Sequence, residues 1–129
     1  MTMKRSENPL SHEIIGAAID IHKQLGPGLL ESAYEGCLAH ALSLRGISVE
    51  RQKTLKIVYK GTHIDCGYRL DLIVDGLVIV ELKMVGCLEP IHVAQVPTYL
   101  RLSGVRLGLL INFNVTNMKQ GIKRVVNNL

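Results

Sequence analysis

The stretch RLDLIVDGLVIVELK at residues 69–83 decides the fold. Two runs of aliphatic and β-branched residues flank an Asp-Gly pair, and this arrangement is the strongest short-range signal of a β-hairpin. We therefore predict two antiparallel strands, one from Tyr68 to Val74 and one from Leu77 to Lys83.

The register of this hairpin decides whether Asp71 and Glu81 share a face of the sheet. A two-residue loop of Asp75 and Gly76 would turn the two carboxylates to opposite faces. A three-residue loop over residues 74–76, with Gly76 in the left-handed region, instead places Asp71 diagonal to Glu81 on one face. We predict the three-residue loop and a positive φ at Gly76.

This register also sorts the side chains of the hairpin. The face opposite the carboxylates becomes fully apolar, with Leu70, Leu72, Val74, Val78, Val80 and Leu82. The other face ends in Asp71, Glu81 and Lys83, and charges on a half-buried face are costly unless they pair or bind a cation. The alternative is that the three are ordinary solvated charges at strand ends.

Two carboxylates near a carbonyl oxygen are hard ligands, which suit Mg²⁺ or Mn²⁺ better than zinc. A lysine beside them can stabilise the charge that develops on a phosphodiester, or orient the attacking water. The residue types therefore point to metal-assisted phosphodiester hydrolysis.

Hydrophobic spacing around the hairpin predicts a single domain over residues 11–129, preceded by a flexible tail at residues 1–10. The predicted order is α-α-β-β-β-α-β-α, an α/β fold with a mixed sheet of about four to five strands flanked by helices. The other predicted elements are helices at 11–25, 29–45, 90–103 and 118–126 and strands at 49–59 and 106–113.

Composition limits the class of protein. A chain of 129 residues with 47% hydrophobic residues has room for one folded domain and is not disordered. The net charge of +4 suits a polyanionic partner, while 4% aromatics argue against a protein that binds single strands mainly by stacking. The absence of an apolar run near 18 residues argues against a membrane protein, so we expect a cytoplasmic one.

The three cysteines, Cys37, Cys66 and Cys87, fit free thiols in a reducing cytoplasm. A zinc site made of His63, Cys66, Cys87 and His92 is an alternative, although its spacing matches no familiar zinc motif.

The motif Asp71-x9-Glu81-Leu82-Lys83 on a hairpin, with helices before and after it, resembles the PD-(D/E)XK nuclease superfamily and its restriction-endonuclease-like core. The segment GLLESAY at residues 28–34 is similar to the GxxExxY signature that names a family of small bacterial proteins in that superfamily. The resemblance extends from about Ser11 to Val126 and includes residues 108–113.

The resemblance implies a role for each matching residue. Asp71, Glu81 and the Leu82 carbonyl would hold the metal, and Lys83 would act as catalytic base or charge stabiliser. Glu31 matches an acidic metal ligand that RecB-like members place on the first core helix. Its alternative is a carboxylate stabilised by the helix dipole.

The segment from Gln95 to Tyr99 resembles the QxxxY element of RecB-like nucleases. The resemblance implies that Gln95 and Tyr99, with Tyr34 and Arg69, contact the substrate or support the metal ligands. We expect Gln95 and Glu31 to enter the same cleft as Glu81, from helices on one face of the sheet. As structural residues, Tyr99 would be a core ring and Gln95 a solvated side chain.

The function implied is a metal-dependent nuclease that uses Mg²⁺ or Mn²⁺. We expect its substrate to be DNA rather than RNA, cleaved by an exonuclease or a structure-directed endonuclease mode. The alternatives are a nucleic-acid-binding or regulatory subunit that keeps the nuclease fold without efficient cleavage, and a hydrolase acting on another substrate. A homodimer or a protein partner fits so small a chain, and we expect no membrane association.

Overall fold

The structure is a computed structural model that describes residues 5–65 and 67–129. Its helices are α1 (Glu7–Leu25), α2 (Glu31–Leu44) and α3 (Pro90–Ser103), with a short 3-10 helix at Met118–Gly121. Its strands are β1 (Val49–Thr54), β2 (Ile57–Tyr59), β3 (Thr62–Ile64), β4 (Arg69–Val74), β5 (Val78–Lys83), β6 (Leu107–Asn112) and β7 (Ile122–Val126). Cys66, and with it the alternative zinc site, lies outside the described residues.

Five strands form one mixed sheet in the order β1-β4-β5-β6-β7. Strands β5 and β6 are parallel, and the other neighbours are antiparallel. The strands β2 and β3 form a separate hairpin around Lys60 and Gly61, which both have positive φ. The predicted α/β fold with a mixed sheet flanked by helices is confirmed.

Helices cover the sheet on both faces and make three layers. On one face α1 and α2 pack with Leu72, Val80 and Leu82 into an aliphatic core that also contains the fully buried Tyr34. On the other face α3 packs against Ile73, Ile79 and Leu110. The approach of α3 is so close that a Cβ on Gly108 would lie 2.6 Å from Cγ1 of Val96.

The central hairpin turns through a three-residue loop, as predicted, but one residue later in the chain. Gly76 has φ 67°, Asp75 has φ 53°, and the Leu77 N–H donates to the Val74 carbonyl. The loop is therefore 75–77 rather than 74–76, and Leu72 lies opposite Val80. This register brings Asp71 level with Glu81 instead of diagonal to it.

One predicted face assignment is wrong. Five of the six aliphatic side chains belong to the core under α1 and α2, but Leu70 lies in the core under α3. Paired β4 and β5 residues extend only to Leu72 and Val80. Beyond that pair, the backbone N–H groups of Asp71 and Leu82 donate to side-chain carboxylates instead of to backbone carbonyls. The side chains of β4 therefore no longer alternate strictly between the two faces of the sheet.

Several element boundaries also differ from the prediction. Helix α1 begins at Glu7 instead of Ser11, because Leu10 is buried in the core and holds an additional turn. Residues 7–10 are therefore helical and not part of a flexible tail, while residues 1–4 lie outside the described residues. No helix in the described chain is long and apolar enough to cross a membrane.

The predicted closing helix at 118–126 is wrong, because only Met118–Gly121 is helical and the rest forms β7. The i, i+3 spacing of Ile122 and Val125 fits a helix, but β7 pairs with β6 and completes its backbone hydrogen bonds. The predicted strand at 49–59 divides into β1 and β2. Helix α3 matches its prediction and runs through Pro97.

Candidate active site

Asp71 and Glu81 are connected through each other's backbone. The Asp71 N–H donates to Oε1 of Glu81 at 3.1 Å, and the Leu82 N–H donates to Oδ2 of Asp71 at 2.9 Å. These two bonds take the place of backbone pairing where the β4–β5 ladder ends. Because of them, the carboxylates lie side by side at the end of the hairpin far from the turn.

Glu81 is the most perturbed acid in the described chain. Its residue is only 5% exposed, and burial together with the negative charge of Asp71 raises its pKa from 4.5 to about 8. The nearby charge of Lys83 lowers the pKa by less than burial and Asp71 raise it. A nearby cation stabilises the ionised form of a buried acid of this kind.

A cleft of about 580 Å³ opens beside this pair, between α2 and the sheet. We call it the acidic cleft, and its lining consists of Leu30, Glu31, Ser32, Glu35, Gln52, Asp71 and Leu82. Oε1 of Glu31 accepts a hydrogen bond at 3.2 Å from the N–H of Met84, the residue that follows β5. Glu31 and Asp71, which are 40 positions apart in the sequence, thus meet in one cleft, as predicted.

Tyr34 explains why Glu31 reaches the cleft. Its hydroxyl donates to the Gly26 carbonyl and accepts from the Leu29 N–H, and its ring stacks on Phe113 at 4.2 Å and 9°. These contacts fix the loop between α1 and α2, in which Gly28 has φ 133°. Tyr34 is fully buried, so its contacts fit the supporting role, one of the two roles expected of it.

Glu35 and Gln52 also belong to this site, although neither was predicted from the sequence. The carboxylate of Glu35 is paired with Arg51, Nη2 to Oε2 at 3.0 Å, and accepts from the Gln52 side chain. The same Gln52 amide donates to Oδ1 of Asp71 at 3.3 Å. Glu35 could have been found, because it lies one helical turn after Glu31 and so shares its face of α2.

The backbone of Gln52 is held in an unusual conformation. Its φ is 51°, a region that residues other than glycine rarely occupy and that costs energy. This strain directs one amide group to both Glu35 and Asp71. The sequence of β1 gives no indication of this positive φ.

Asn112 had no role predicted from the sequence, and the structure gives it one. It is 4% exposed, accepts from the Val85 N–H at 3.2 Å and donates to the Val85 carbonyl at 2.9 Å. The neighbouring Phe113 N–H donates to the Lys83 carbonyl. The end of β6 thereby holds the end of β5, including Lys83, in a fixed position.

Gln95 and Tyr99 do not enter the acidic cleft, so the expectation that Gln95 and Glu31 share a cleft is wrong. Both lie on α3, which covers the opposite face of the sheet, and both line a different cleft. Tyr99 is 8% exposed and belongs to the core under α3. Arg69 is exposed at the start of β4 and lies outside the lining of the acidic cleft.

The donor set fits a hard divalent cation. Residues 5–65 and 67–129 contain no ready cluster of three His, Cys, Asp or Glu side chains around one metal position. Two adjacent carboxylates are nevertheless sufficient for Mg²⁺, which keeps several waters and is commonly held by one or two carboxylates. Burial, and after it the negative charge of Asp71, raises the pKa of Glu81, and a bound cation would offset both effects.

The chain matches a protein-family model. A family model described as the PD-(D/E)XK nuclease superfamily matches residues 8–125. No curated protein and no solved structure matches the chain.

Proposed function

Since this chain belongs to the PD-(D/E)XK nuclease superfamily, we propose that it is a divalent-metal-dependent nuclease whose reaction takes place at Asp71, Glu81 and Lys83. The observation that carries this proposal is the buried Glu81, with its pKa raised to about 8, bonded side by side with the half-buried Asp71. Perturbed acids in a cleft are typical of functional sites, because a fold gains nothing from leaving such a pair uncompensated.

Asp71, Glu81 and the Leu82 carbonyl are the groups that would hold Mg²⁺ or Mn²⁺. Glu31 lines the same cleft, but its carboxylate does not join theirs around one metal position. A bound ion would polarise the phosphate and favour a hydroxide over a water molecule near neutral pH. Gln52 orients Asp71, and the bond from Met84 keeps Glu31 at the cleft.

The position of Lys83 supports a catalytic role for it. It ends β5, two residues after Glu81, and its carbonyl is anchored by the Phe113 N–H. An ammonium group held beside the scissile phosphate stabilises the negative charge that grows on the phosphate oxygens in the transition state. Alternatively, its neutral form removes a proton from the attacking water, which places it in the role of general base.

The finer features of the proposal rest on the sequence motifs. The GxxExxY signature and the RecB-like elements support DNA as the substrate, with exonuclease or structure-directed cleavage. The net charge of +4 supports a polyanionic substrate. Residues 11–129, together with the first turn of α1, are proposed to act as one domain in the cytoplasm, in a homodimer or with a protein partner.

The test is cleavage of labelled single-stranded, double-stranded and branched DNA, and of RNA, with Mg²⁺ or Mn²⁺ and with a chelator. Lys83→Met should lower the cleavage rate by about 10²–10³-fold, because one positioned charge is lost from the transition state. Its matched control is Lys56→Met, which removes an exposed lysine outside the acidic cleft. Equal rates for wild type and Lys83→Met would refute the proposal.

A second candidate is a binding or regulatory subunit that keeps the fold without efficient cleavage. The observation that favours it is that no third acidic ligand joins Asp71 and Glu81 around one position in the described residues. The same assay separates the two functions, because a binding subunit would retain nucleic acid without cutting it under any metal condition.

A further inference from the structure

A second cleft, of about 240 Å³, lies between α3 and the chain that enters β2 and β4. We call it the tyrosine cleft, and its lining consists of Leu55, Ile57, Tyr68, Ile91, Ala94, Gln95, Thr98, Tyr99 and Leu102. None of these described lining residues carries a charge. An apolar cleft with a few polar groups at its rim is the usual form of a site for a flat, uncharged ligand group.

The ring of Tyr68 gives this cleft its chemistry. Tyr68 is 50% exposed, and its ring centre lies 6.3 Å from that of Tyr99, with the two planes tilted by 53°. The chain has only four tyrosines and no tryptophan, and two of the four line this cleft. A half-exposed ring beside a second ring is a stacking platform, and every nucleobase has a face that stacks on such a ring.

The rim of the cleft offers complementary polar groups. The Gln95 amide supplies both a donor and an acceptor, the combination that reads the edge of a base. Nη2 of Arg101 donates to Oγ1 of Thr98 at 3.3 Å, which places a guanidinium at the edge of the cleft. A positive charge there suits the phosphate of a nucleotide whose base enters the cleft.

The position of Tyr68 connects the two clefts. Tyr68 precedes Asp71 by three residues, a span of about 10 Å at the rise of an extended chain. The tyrosine and acidic clefts thus open near the same end of β4, on opposite faces of the sheet. A flexible single strand passing this end can reach both, whereas a duplex keeps its bases paired and stacked inside.

We propose that the tyrosine cleft binds one nucleobase of a single-stranded substrate, stacked on Tyr68, while a phosphate of a neighbouring nucleotide lies at Asp71 and Glu81. This inference rests on the proposed function and adds to it the substrate class, a nucleic acid with an unpaired base. A site that stacks a single base is compatible with the low aromatic content of the chain. That content argues only against a protein that binds nucleic acid mainly by stacking.

The experiment measures the affinity of fluorescein-labelled oligothymidylate by anisotropy, in the presence of a chelator so that nothing is cut. Tyr68→Ala should weaken binding about tenfold or more, the usual loss when a stacking ring is removed. Tyr68→Phe keeps the ring and should bind like wild type. The matched control is Tyr59→Ala, because Tyr59 is 64% exposed and lies outside the lining of the cleft.

A second measurement does not depend on how the variants fold. One abasic position, moved along the oligonucleotide, should weaken binding to wild type at one place and have no further effect on Tyr68→Ala. Equal affinities for Tyr68→Ala and Tyr59→Ala, or an abasic position without effect anywhere, would overturn the proposal even if the protein cuts nucleic acid. If wild type neither binds nor cuts any nucleic acid, the proposed function itself fails and this inference fails with it.

Discussion

The acidic cleft and the tyrosine cleft lie on opposite faces of one sheet, and their chemistry differs sharply. The acidic cleft gathers Glu31, Glu35 and Asp71 beside the buried Glu81. The tyrosine cleft is apolar, with two aromatic rings and no charged lining residue among those described. The acidic cleft therefore supplies carboxylates next to Glu81, while the tyrosine cleft has the apolar shape that holds a flat ligand group.

The handedness of one connection explains the division. Helix α3 connects the parallel strands β5 and β6, and crossovers of this kind are right-handed in nearly all proteins. The handedness fixes the face on which α3 lies, and α1 and α2 cover the other face. The i, i+4 spacing of Gln95 and Tyr99 predicts that they line the same cleft. The handedness of the crossover determines on which face of the sheet that cleft lies.

The largest effect should come from disrupting the acidic cleft. Asp71→Asn removes one charge of the carboxylate pair and should lower the cleavage rate about 10²–10³-fold, because the cation that stabilises the developing negative charge loses an anionic ligand. The control is Asp20→Asn, an exposed aspartate on α1 whose carboxylate accepts from Gln24. A normal rate for Asp71→Asn would remove the acidic cleft from the reaction.

The next effect is on stability and follows from the raised pKa of Glu81. Between pH 4.5 and about pH 8, Glu81 keeps its proton in the folded protein but has lost it in the unfolded chain. Without metal, the free energy of unfolding should therefore fall as pH rises through this window, by at most about 1.4 kcal/mol per pH unit. Below the window this stabilisation is fully present.

Urea unfolding at several pH values checks this prediction. Glu81→Gln stays neutral at every pH and should reduce the dependence in this window, while Glu13→Gln, at an exposed position, should not. The same slope in wild type and Glu81→Gln would mean that another group causes the pH dependence.

A smaller effect should arise at the face under α3. Gly108→Ala puts a Cβ 2.6 Å from Cγ1 of Val96 and should lower the free energy of unfolding by about 1–3 kcal/mol. Gly86→Ala is the control, because nothing lies within 4 Å of its Cβ position, and it should change stability by less than about 0.5 kcal/mol. Both are measured by urea unfolding, and equal stabilities would show that α3 can move away from β6 at little cost.

The smallest predicted effect concerns the pair of Glu35 and Arg51 behind the acidic cleft. The Glu35 side chain is 8% exposed, so Arg51→Ala leaves a buried carboxylate without its cation and should cost about 1 kcal/mol. The pair of Lys53 and Glu50 is exposed on both sides, and Lys53→Ala should cost less than about 0.5 kcal/mol. Thermal unfolding of the two variants distinguishes these values, and equal losses would contradict the difference in burial.

The hairpin and the sheet could be predicted from the sequence because local rules determine them. Asp75 and Gly76 specify a turn with positive φ, and the aliphatic runs beside them specify strands. The loop was nevertheless displaced by one residue, since a three-residue loop at 74–76 and one at 75–77 place the aliphatic side chains on the same faces. Only the pairing of Leu72 with Val80 separates the two loops.

The rest of the acidic cleft could not be predicted because it depends on contacts between distant segments. The positive φ of Gln52 and its amide bonds to Glu35 and Asp71 arise only when α2 is packed on the sheet. Strand β7 was also missed, because its pairing with β6 outweighed a spacing that fits a helix. The spacing of the motif predicted the type of chemistry, whereas tertiary packing determines which residues lie together in one cleft.

The most direct test of the central claim is isothermal titration with Mn²⁺ near pH 7, in two buffers with different heats of ionisation. Because Glu81 has a pKa of about 8, it is mostly protonated before the ion binds. Binding should therefore release about one proton per ion in wild type, and much less in Glu81→Gln. Binding without proton release, or no binding of Mn²⁺ by wild type, would contradict the assignment of Asp71 and Glu81 as the metal site.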